Sequence, residues 1–140
     1  RLNRMKESVR AVVINRQKSH AFFVQHVEWN PADVGKWSTI GGGIEAGDPD
    51  HLSCLKREIA EEFGIDSVAH FNFLRKLHTN YWESRTDHFY LAEYLGEVLR
   101  PNCPEEIENH AWFLPKEFRE LPFFFGIEGR LAEEALNSFR

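Results

Sequence analysis

The sequence predicts an α/β fold in which helices pack on the faces of one mixed β-sheet. The first observation is that apolar segments typical of strands occur before, between and after two segments with the periodicity of amphipathic helices. The second is size, because 140 residues with 12 Phe suffice for one domain with a substantial core. No repeat, low-complexity tract or linker interrupts the sequence, so we expect one domain over residues 1–140.

The first part of the sequence favours a β-hairpin, because Val9, Ala11, Val12 and Ile14 form an apolar segment before a polar, turn-like one. The predicted elements that follow are a polar turn at 15–19, a return strand at 21–27, a loop at 29–36, a short strand at 37–40 and a glycine loop at 41–43.

A helix is predicted over about residues 50–63 because apolar side chains recur there at helical spacing. Asp50 is suited to cap its N-terminus, and Gly64 stands where a left-handed C-terminal cap belongs. The apolar stripe consists of Leu52, Leu55, Ile59 and Phe63.

The remainder of the chain alternates strands with short helical segments. Three strands are predicted, near residues 68–78, 87–98 and 111–114, and Pro115 opens a short helical turn. A C-terminal helix is predicted over 128–139. Its apolar face consists of Leu131, Ala135, Leu136 and Phe139.

Charge and hydropathy exclude several classes of protein. The net charge of −5 argues against a general nucleic-acid coat protein, although a metal ion can supply local positive charge for a phosphate chain. No apolar run approaches the ~18 residues of a membrane span, and the basic N-terminus lacks a following signal-type apolar stretch. We therefore expect a cytoplasmic protein that does not interact with membranes. Cys54 and Cys103 are expected to be reduced thiols.

Three carboxylates on the predicted helix carry the clearest chemical signal. Glu58, Glu61 and Glu62 stand at i, i+3 and i+4, so they share one face that is turned away from the apolar stripe. Like charges there repel one another, and the C-terminal half of a helix disfavours anions. A hard cation such as Mg²⁺ removes this cost, because it binds carboxylate oxygens and shares its remaining positions with substrate phosphates.

Neither the acidic face nor the glycines are informative alone, because solvated acidic helices and glycine turns are common. Their combination is more specific. The order is strand, glycine loop and acidic helix, in which glycine lets the backbone approach a metal or phosphate while the helix supplies ligands.

The segment that begins at Gly42 and includes Glu45, Gly47 and the run Arg57-Glu58-Ile59-Ala60-Glu61-Glu62-Phe63-Gly64-Ile65 resembles the signature box of the Nudix hydrolases. The box covers about a sixth of the chain, but the N-terminal strand pair, Trp37 and the late Trp112 are similar to the family too. The sequence departs from the pattern by one inserted residue in the loop at Asp48-Pro49, where Asp48 replaces a structural Glu. Ile40 also stands where the family often has Pro.

The resemblance implies a Nudix-like α/β/α sandwich and a Mg²⁺-dependent pyrophosphohydrolase, with Mn²⁺ as an alternative metal. It implies that Arg57 orients the acids and that a late acid serves as metal ligand or general base. Glu106 matches this late acid best, with Glu105 and Glu108 as alternatives. The implied metal ligands are Glu58, Glu61, Glu62, Glu106 and the carbonyl of Gly41 or Gly42.

The substrate is less well determined. The residues expected to bind it are Phe23, Tyr81 and Phe89 by stacking on a base and Arg10 and Lys36 by contact with phosphates. They are chosen from a wider group of aromatic and cationic candidates that also includes Trp82, Phe123, Phe124, Phe125, Lys76, Arg85 and Lys116. The expected substrate is a nucleoside or deoxynucleoside triphosphate, with oxidised purines and triphosphorylated RNA 5′ ends among the candidates. Alternatives are hydrolysis of nucleoside diphosphate sugars and a catalytically silent nucleotide-binding module. A monomer and a homodimer are both open.

Overall fold

The computed structural model describes residues 6–28 and 30–140, so Trp29 and residues 1–5 lie outside the described part. The elements are β1 (Lys6–Asn15), β2 (His20–His26), β3 (Ile40–Gly43), α1 (His51–Phe63), β4 (Phe71–Trp82), β5 (Arg85–Tyr94), β6 (Ile107–Phe113), α2 (Pro115–Phe118) and α3 (Glu128–Asn137), with 3₁₀ turns at Pro31–Asp33 and Ile65–His70. No helix in the described part is long and apolar enough to cross a bilayer.

One six-stranded mixed sheet forms the centre of the fold. Its order is β4-β5-β1-β2-β6, and β3 pairs with β1 off this path. The β1–β5 pair is parallel, whereas the other pairs are antiparallel. Strand β1 is therefore central, and its partner on one edge changes from β3 at residues 8–11 to β2 at residues 13–15.

Both faces of the sheet carry a buried core, one covered by α1 and the other by α2 and α3. On β1, Val9, Ala11 and Val13 belong to the core that includes α1, while Val12 and Ile14 belong to the core that includes α3. Alternation along a strand sends successive side chains to opposite faces, so one strand contributes to both cores. The expected α/β/α sandwich around a mixed sheet is thus confirmed.

Helix α1 has the predicted N-terminal cap and ends at Gly64 as predicted, but Gly64 does not adopt the left-handed helical conformation, and the apolar face differs slightly. The Asp50 carboxylate accepts a hydrogen bond from the Ser53 amide at 2.7 Å, and Gly64 ends the helix with φ +96° and an extended ψ of 146°. Leu52, expected in the stripe, is 42% exposed, and Cys54 takes a buried place instead. At the C-terminus, α3 stops at Asn137, and Phe139 is largely exposed.

Four strand predictions need correction. The strand expected near 87–98 ends at Tyr94, and the strand expected at 111–114 begins at Ile107. The glycines 41–43 were expected to form a loop after a strand at 37–40, but they lie within β3 and pair with β1, whereas Trp37 and Ser38 make only isolated bridges. The strand expected near 68–78 begins at Phe71, after the 3₁₀ turn, and forms with β5 a long hairpin that turns at residues 83–84.

Candidate active site

A cavity of about 510 Å³ opens between the N-terminal half of β1, the second half of α1 and the loops before β6 and α3. Acidic side chains and cationic side chains both line it, together with two aromatic rings. The acids include Glu58, Glu62, Glu105 and Glu106; the cations are Lys6, Arg10 and Arg85; the rings are Phe124 and Phe125. A volume of this size suits a small-molecule ligand.

The guanidinium of Arg57 connects the helix to the loop before it. It donates from Nε and Nη2 to the two carboxylate oxygens of Asp48, at 3.0 and 2.8 Å. It also donates to Glu58 at 2.7 Å and to the backbone carbonyl of Gly43 at 3.0 Å. The hydrogen bonds from Arg57 and the Glu45 amide lower the pKa of Asp48 to about 2. Arg57 therefore fixes the orientation of Glu58, and Asp48 fixes Arg57.

The three helix carboxylates differ in exposure. Glu61 is exposed and lies 3.4 Å from Arg57, Glu58 is half-buried, and Glu62 is 4% exposed. Burial raises the pKa of Glu58, and burial together with the negative charge of Glu58 raises the pKa of Glu62 to about 8, despite the opposing effect of Arg10. Two acids side by side are thus costly to ionise without a cation.

The donor set fits a divalent metal. Glu62 Oε1 is buried and has no hydrogen-bond partner among the described residues, although a buried polar atom normally has one. Carboxylate oxygens are the ligands that hard divalent cations prefer, and a bound cation removes the repulsion that raises these pKa values. Glu58, Glu62 and the exposed Glu61 are therefore suited to hold such an ion.

Glycines let β3 approach α1 closely. A Cβ at Gly42 would lie 2.4 Å from the Glu58 carboxylate, and one at Gly41 would lie 2.1 Å from the Val9 carbonyl oxygen, at a φ of +138°. Gly41 lines the cavity, while the carbonyl of Gly42 lies 3.9 Å from the Cys54 sulfur. Of the two predicted backbone ligands, Gly41 is the better placed.

Arg10 is a buried cation opposite these acids. It is 8% exposed, lines the cavity, and its guanidinium donates to the carbonyl and the hydroxyl of Thr39. Burial lowers the pKa of Arg10, while the charges of Glu62, Glu128 and Asp87 oppose that shift. An arginine remains charged under these conditions and can meet a phosphate within the cavity.

The loop before β6 brings further acids to the cavity. Glu105 and Glu106 both line it, whereas Glu108, which lies within β6, does not. The charge of Glu106 also contributes to the raised pKa of Glu62. Glu106 therefore lies near the helix acids, whereas Glu108 does not line the cavity, and the assignment of Glu106 as the late acid stays a prediction.

Phe23 and Phe89, predicted to stack on a base, are in fact core residues. Both are fully buried beneath α3. The Phe23 ring packs edge-on against Phe118 and Phe123, and Phe89 packs in the same way against Phe125. Because the second face of the sheet is covered by α3, these rings cannot contact a nucleotide.

Tyr81 and Lys36 do not line the cavity. Tyr81 is 77% exposed at the end of β4, and Lys36 pairs with Asp33 at 3.1 Å. Of the five predicted substrate-binding residues, all of which the structure describes, only Arg10 reaches the cavity.

Several cavity residues were not among those predictions. Lys6 and Ser8 precede Arg10 at intervals of two, so strand alternation on β1 was the signal that would have found them. Arg85 is the register partner of Lys6 and is held by the buried Asp87 at 3.0 Å. The loop before α3 contributes Phe124, for which spacing gives no signal.

Comparison with known proteins identifies the family of this chain. The NUDIX domain family model matches residues 5–132, so the chain belongs to the Nudix family. Members of this family are pyrophosphohydrolases that bind nucleotide substrates and generally use divalent metal ions. The chain is thus an enzyme of the Nudix type. No curated protein matches it significantly.

Solved structures share the fold at low sequence identity. A NUDIX-family hydrolase from Clostridium perfringens is 18% identical with a TM-score of 0.74, over 99% of this chain and 100% of that chain. An Ap4A hydrolase from C. elegans is 17% identical with a TM-score of 0.71, over 94% and 96%. An ADP-ribose pyrophosphatase from Streptococcus suis is 23% identical with a TM-score of 0.66, over 94% and 91%.

Proposed function

We propose that this chain hydrolyses a phosphoanhydride bond of a nucleoside or deoxynucleoside triphosphate with Mg²⁺, releasing the monophosphate and pyrophosphate. The observation that carries the proposal is the arrangement of the cavity, in which a group of acids faces Lys6, Arg10 and Arg85. The acids can bind a divalent metal ion. The cations opposite them can bind the phosphate oxygens that do not contact the metal.

The proposed metal ligands are Glu58, Glu61, Glu62 and the Gly41 carbonyl, with Glu106 as an additional ligand or general base. When bound, Mg²⁺ supplies electrostatic neutralisation of the phosphate oxygens and polarises phosphorus for attack by water. Mn²⁺ is an alternative because it prefers the same oxygen ligands.

Arg57 holds Glu58 in place through its bonds to Asp48 and Gly43. Arg10, Lys6 and Arg85 bind the phosphates. Phe124, which is half-buried at the cavity, is suited to contact the base.

Free nucleotides are favoured over larger substrates by the cavity volume, which matches a small ligand. Oxidised purine nucleotides fall within this class. A triphosphorylated RNA 5′ end presents the same reacting group and is the second candidate, whereas a nucleoside diphosphate sugar lacks the terminal phosphate. We propose a cytoplasmic enzyme without membrane partners. All proposed ligands belong to one chain, so a monomer contains the complete site, and a homodimer is the alternative.

The test is phosphate and pyrophosphate release with Mg²⁺ from nucleoside triphosphates, deoxynucleoside triphosphates, sugar nucleotides and triphosphorylated RNA. Removal of a residue that hydrogen-bonds to a metal ligand already lowers activity by about 10–100-fold, and removal of a metal ligand itself should lower it at least as much. Glu61→Gln should therefore lower the rate of hydrolysis by about 100-fold or more. Glu134→Gln is the matched control, because Glu134 is an exposed glutamate in the C-terminal half of α3, away from the cavity.

Release from one substrate class, lost in Glu61→Gln and kept in Glu134→Gln, would establish the reaction and the class together. Release from sugar nucleotides alone would replace the triphosphate proposal. Nucleotide binding without any release would identify a catalytically silent binding module. The inserted residue at Asp48-Pro49 would then be the first candidate for the cause of the lost activity.

A further inference from the structure

A second group of metal-binding side chains lies at the other end of α1. One carboxylate oxygen of Glu7 and one ring nitrogen each of His51 and His88 lie within 4.8 Å of one another. Three separate elements supply them, since Glu7 is on β1, His51 is the first residue of α1 and His88 is on β5. This convergence is a tertiary feature that no local sequence spacing produces.

This cluster is distinct from the catalytic acids. His51 precedes Glu58 by seven residues, which at 1.5 Å per residue separates them by about 10 Å along the helix. Neither histidine lines the catalytic cavity, whereas Glu7 is one of its lining residues and lies between the two sites. The donor chemistry also differs, because two imidazoles replace carboxylates.

Hydrogen bonding leaves one nitrogen of His51 available. Its Nδ1 lies 2.6 Å from the hydroxyl of Tyr90, while Nε2 makes no hydrogen bond among the described residues. A metal-ligating histidine usually donates its other ring N–H to an oxygen in this way, which fixes the ring and the tautomer. Because Tyr90 engages Nδ1, Nε2 is the His51 nitrogen left to bind a metal.

His88 is held by two opposite charges. Its Nε2 lies 2.8 Å from Glu7 Oε1, and its Nδ1 lies 3.1 Å from Lys76 Nζ. The rings of His88 and His51 are 4.2 Å apart and tilted by 40° rather than parallel. The chain Lys76–His88–Glu7 satisfies His88 without a metal, but it gives no reason for a second imidazole beside it.

Lys76 is the group that opposes metal binding. Its ammonium repels a cation, and its contact with Nδ1 favours the tautomer that places a proton on the Nε2 facing Glu7. Because Lys76 is exposed on β4, its side chain can move into solvent. Binding of a metal ion would thus displace the Lys76 ammonium. The proton of the His88 ring would then lie on Nδ1, and His88 Nε2 would be free to bind the metal.

We propose that Glu7, His51 and His88 form a binding site for Zn²⁺ that is separate from the catalytic metal site. Two histidines and one glutamate are a known Zn²⁺ ligand set that leaves a fourth position for water. Ligands at about 2.0–2.2 Å from zinc lie about 3.4 Å apart, so the three groups need to move by roughly 1 Å at most. The bound ion connects β1, the start of α1 and β5.

The test is calorimetric titration of the whole chain with ZnCl₂ in millimolar Mg²⁺, which competes with Zn²⁺ for the carboxylates but not for the imidazoles. One Zn²⁺ should bind, and the melting temperature should rise with it. Removal of an outer-shell partner weakens metal sites by about 10–100-fold, so His51→Ala and His88→Ala should weaken Zn²⁺ binding by at least that factor. Lys76→Met should strengthen it.

His110→Ala is the matched control, because His110 is an exposed histidine away from the cluster and should leave Zn²⁺ binding unchanged. If His88→Ala fails to fold, the result for His51→Ala decides whether the site exists. That variant should fold, because the His51 ring is half-buried and lies at the first residue of α1. Absence of Zn²⁺ binding to the wild type, or wild-type affinity in His51→Ala, would overturn the proposal. Unchanged affinity in Lys76→Met would contradict the role given to Lys76. These readouts do not depend on hydrolysis, so they stand apart from the proposed function.

Discussion

At the scale of single residues, Arg57 orients Glu58, one of the proposed metal ligands. Its planar guanidinium reaches Asp48, Glu58 and Gly43 at the same time, with a bidentate contact to Asp48. Asp48 also accepts a hydrogen bond from the Glu45 amide at 2.8 Å, which positions it within the turn. The loop with the inserted residue therefore keeps an acid under Arg57, even though that acid is shorter than in the family pattern.

Arg57→Lys tests this function of the guanidinium. A lysine ammonium cannot make the fork contact with Asp48 while it also reaches Glu58, so Glu58 loses its fixed orientation. We expect hydrolysis to fall about 10–100-fold, with a higher Mg²⁺ requirement, as for the loss of an outer partner of a metal ligand. Measurement of the rate against Mg²⁺ concentration would show both effects.

The control for this variant is Arg119→Lys. Arg119 makes a similar bidentate contact with Glu133, but on the surface and outside the cavity. That variant should retain the wild-type rate. An equal loss in both variants would show that Arg57 acts through general stability rather than on the acids.

At the scale of elements, the close approach of β3 to α1 places backbone and carboxylates together. The pairing of β3 with β1 puts the glycines beneath the acidic half of the helix. Only a residue without a side chain allows this spacing at Gly42, where the Glu58 carboxylate occupies the position of a Cβ.

Gly42→Ala should therefore displace the Glu58 side chain. The φ of Gly42 is not in the left-handed region, and the new Cβ would meet only the end of the Glu58 side chain. The fold should therefore survive, while Mg²⁺ binding and hydrolysis are lost. Gly47→Ala is the matched control, since a Cβ at Gly47 would meet no other atom within 4 Å. Circular dichroism and Mg²⁺ titration of both variants would separate folding from binding. Wild-type Mg²⁺ affinity in Gly42→Ala would exclude this packing requirement.

At the scale of the whole molecule, the buried acids link stability to pH and metal. Burial raises the pKa of Glu62 to about 8, above the 4.5 of an exposed glutamate. Folding then favours the protonated form, so the contribution of Glu62 to stability is complete below pH 4.5 and is lost as pH rises through about 8. Histidines with a lowered pKa, such as His26 at about 4, are neutral above pH 6.5 in both the folded and the unfolded protein. They therefore do not oppose the loss of stability at higher pH.

We expect the melting temperature of the metal-free protein, in chelator, to fall as pH rises from 6.5 to about 8. Saturating Mg²⁺ should reduce the fall, because the metal binds the ionised carboxylate and its affinity rises over the same range. Thermal unfolding across this range, with and without Mg²⁺, measures both slopes.

Glu62→Gln removes the titrating group and should flatten the metal-free profile. The residual slope then reports on Glu58 and Glu128, whose pKa values burial also raises. A slope as steep in Glu62→Gln as in the wild type would refute the assignment of this pH dependence to Glu62.

The different outcomes for individual residues show where sequence patterns are informative. Helical spacing and the family resemblance predicted Arg57, Glu58, Glu61 and Glu62 as site residues, and helix geometry alone places them near one another. Phe23 and Phe89 were predicted wrongly, because alternation separates the two faces of a strand without showing that both faces are covered.

The sequence by itself determined the α/β class, the N-terminal cap of α1 and its end at Gly64, the acidic face of that helix and the family, since these depend on periodicity and on residues close in the chain. Only the tertiary structure decided which cations face the acids and which histidines meet Glu7. Lys6 reaches Arg85 through the parallel pairing of β1 and β5, and His51 reaches His88 through the packing of α1 on the sheet. Contacts between distant segments depend on strand order and helix placement, which local patterns do not specify.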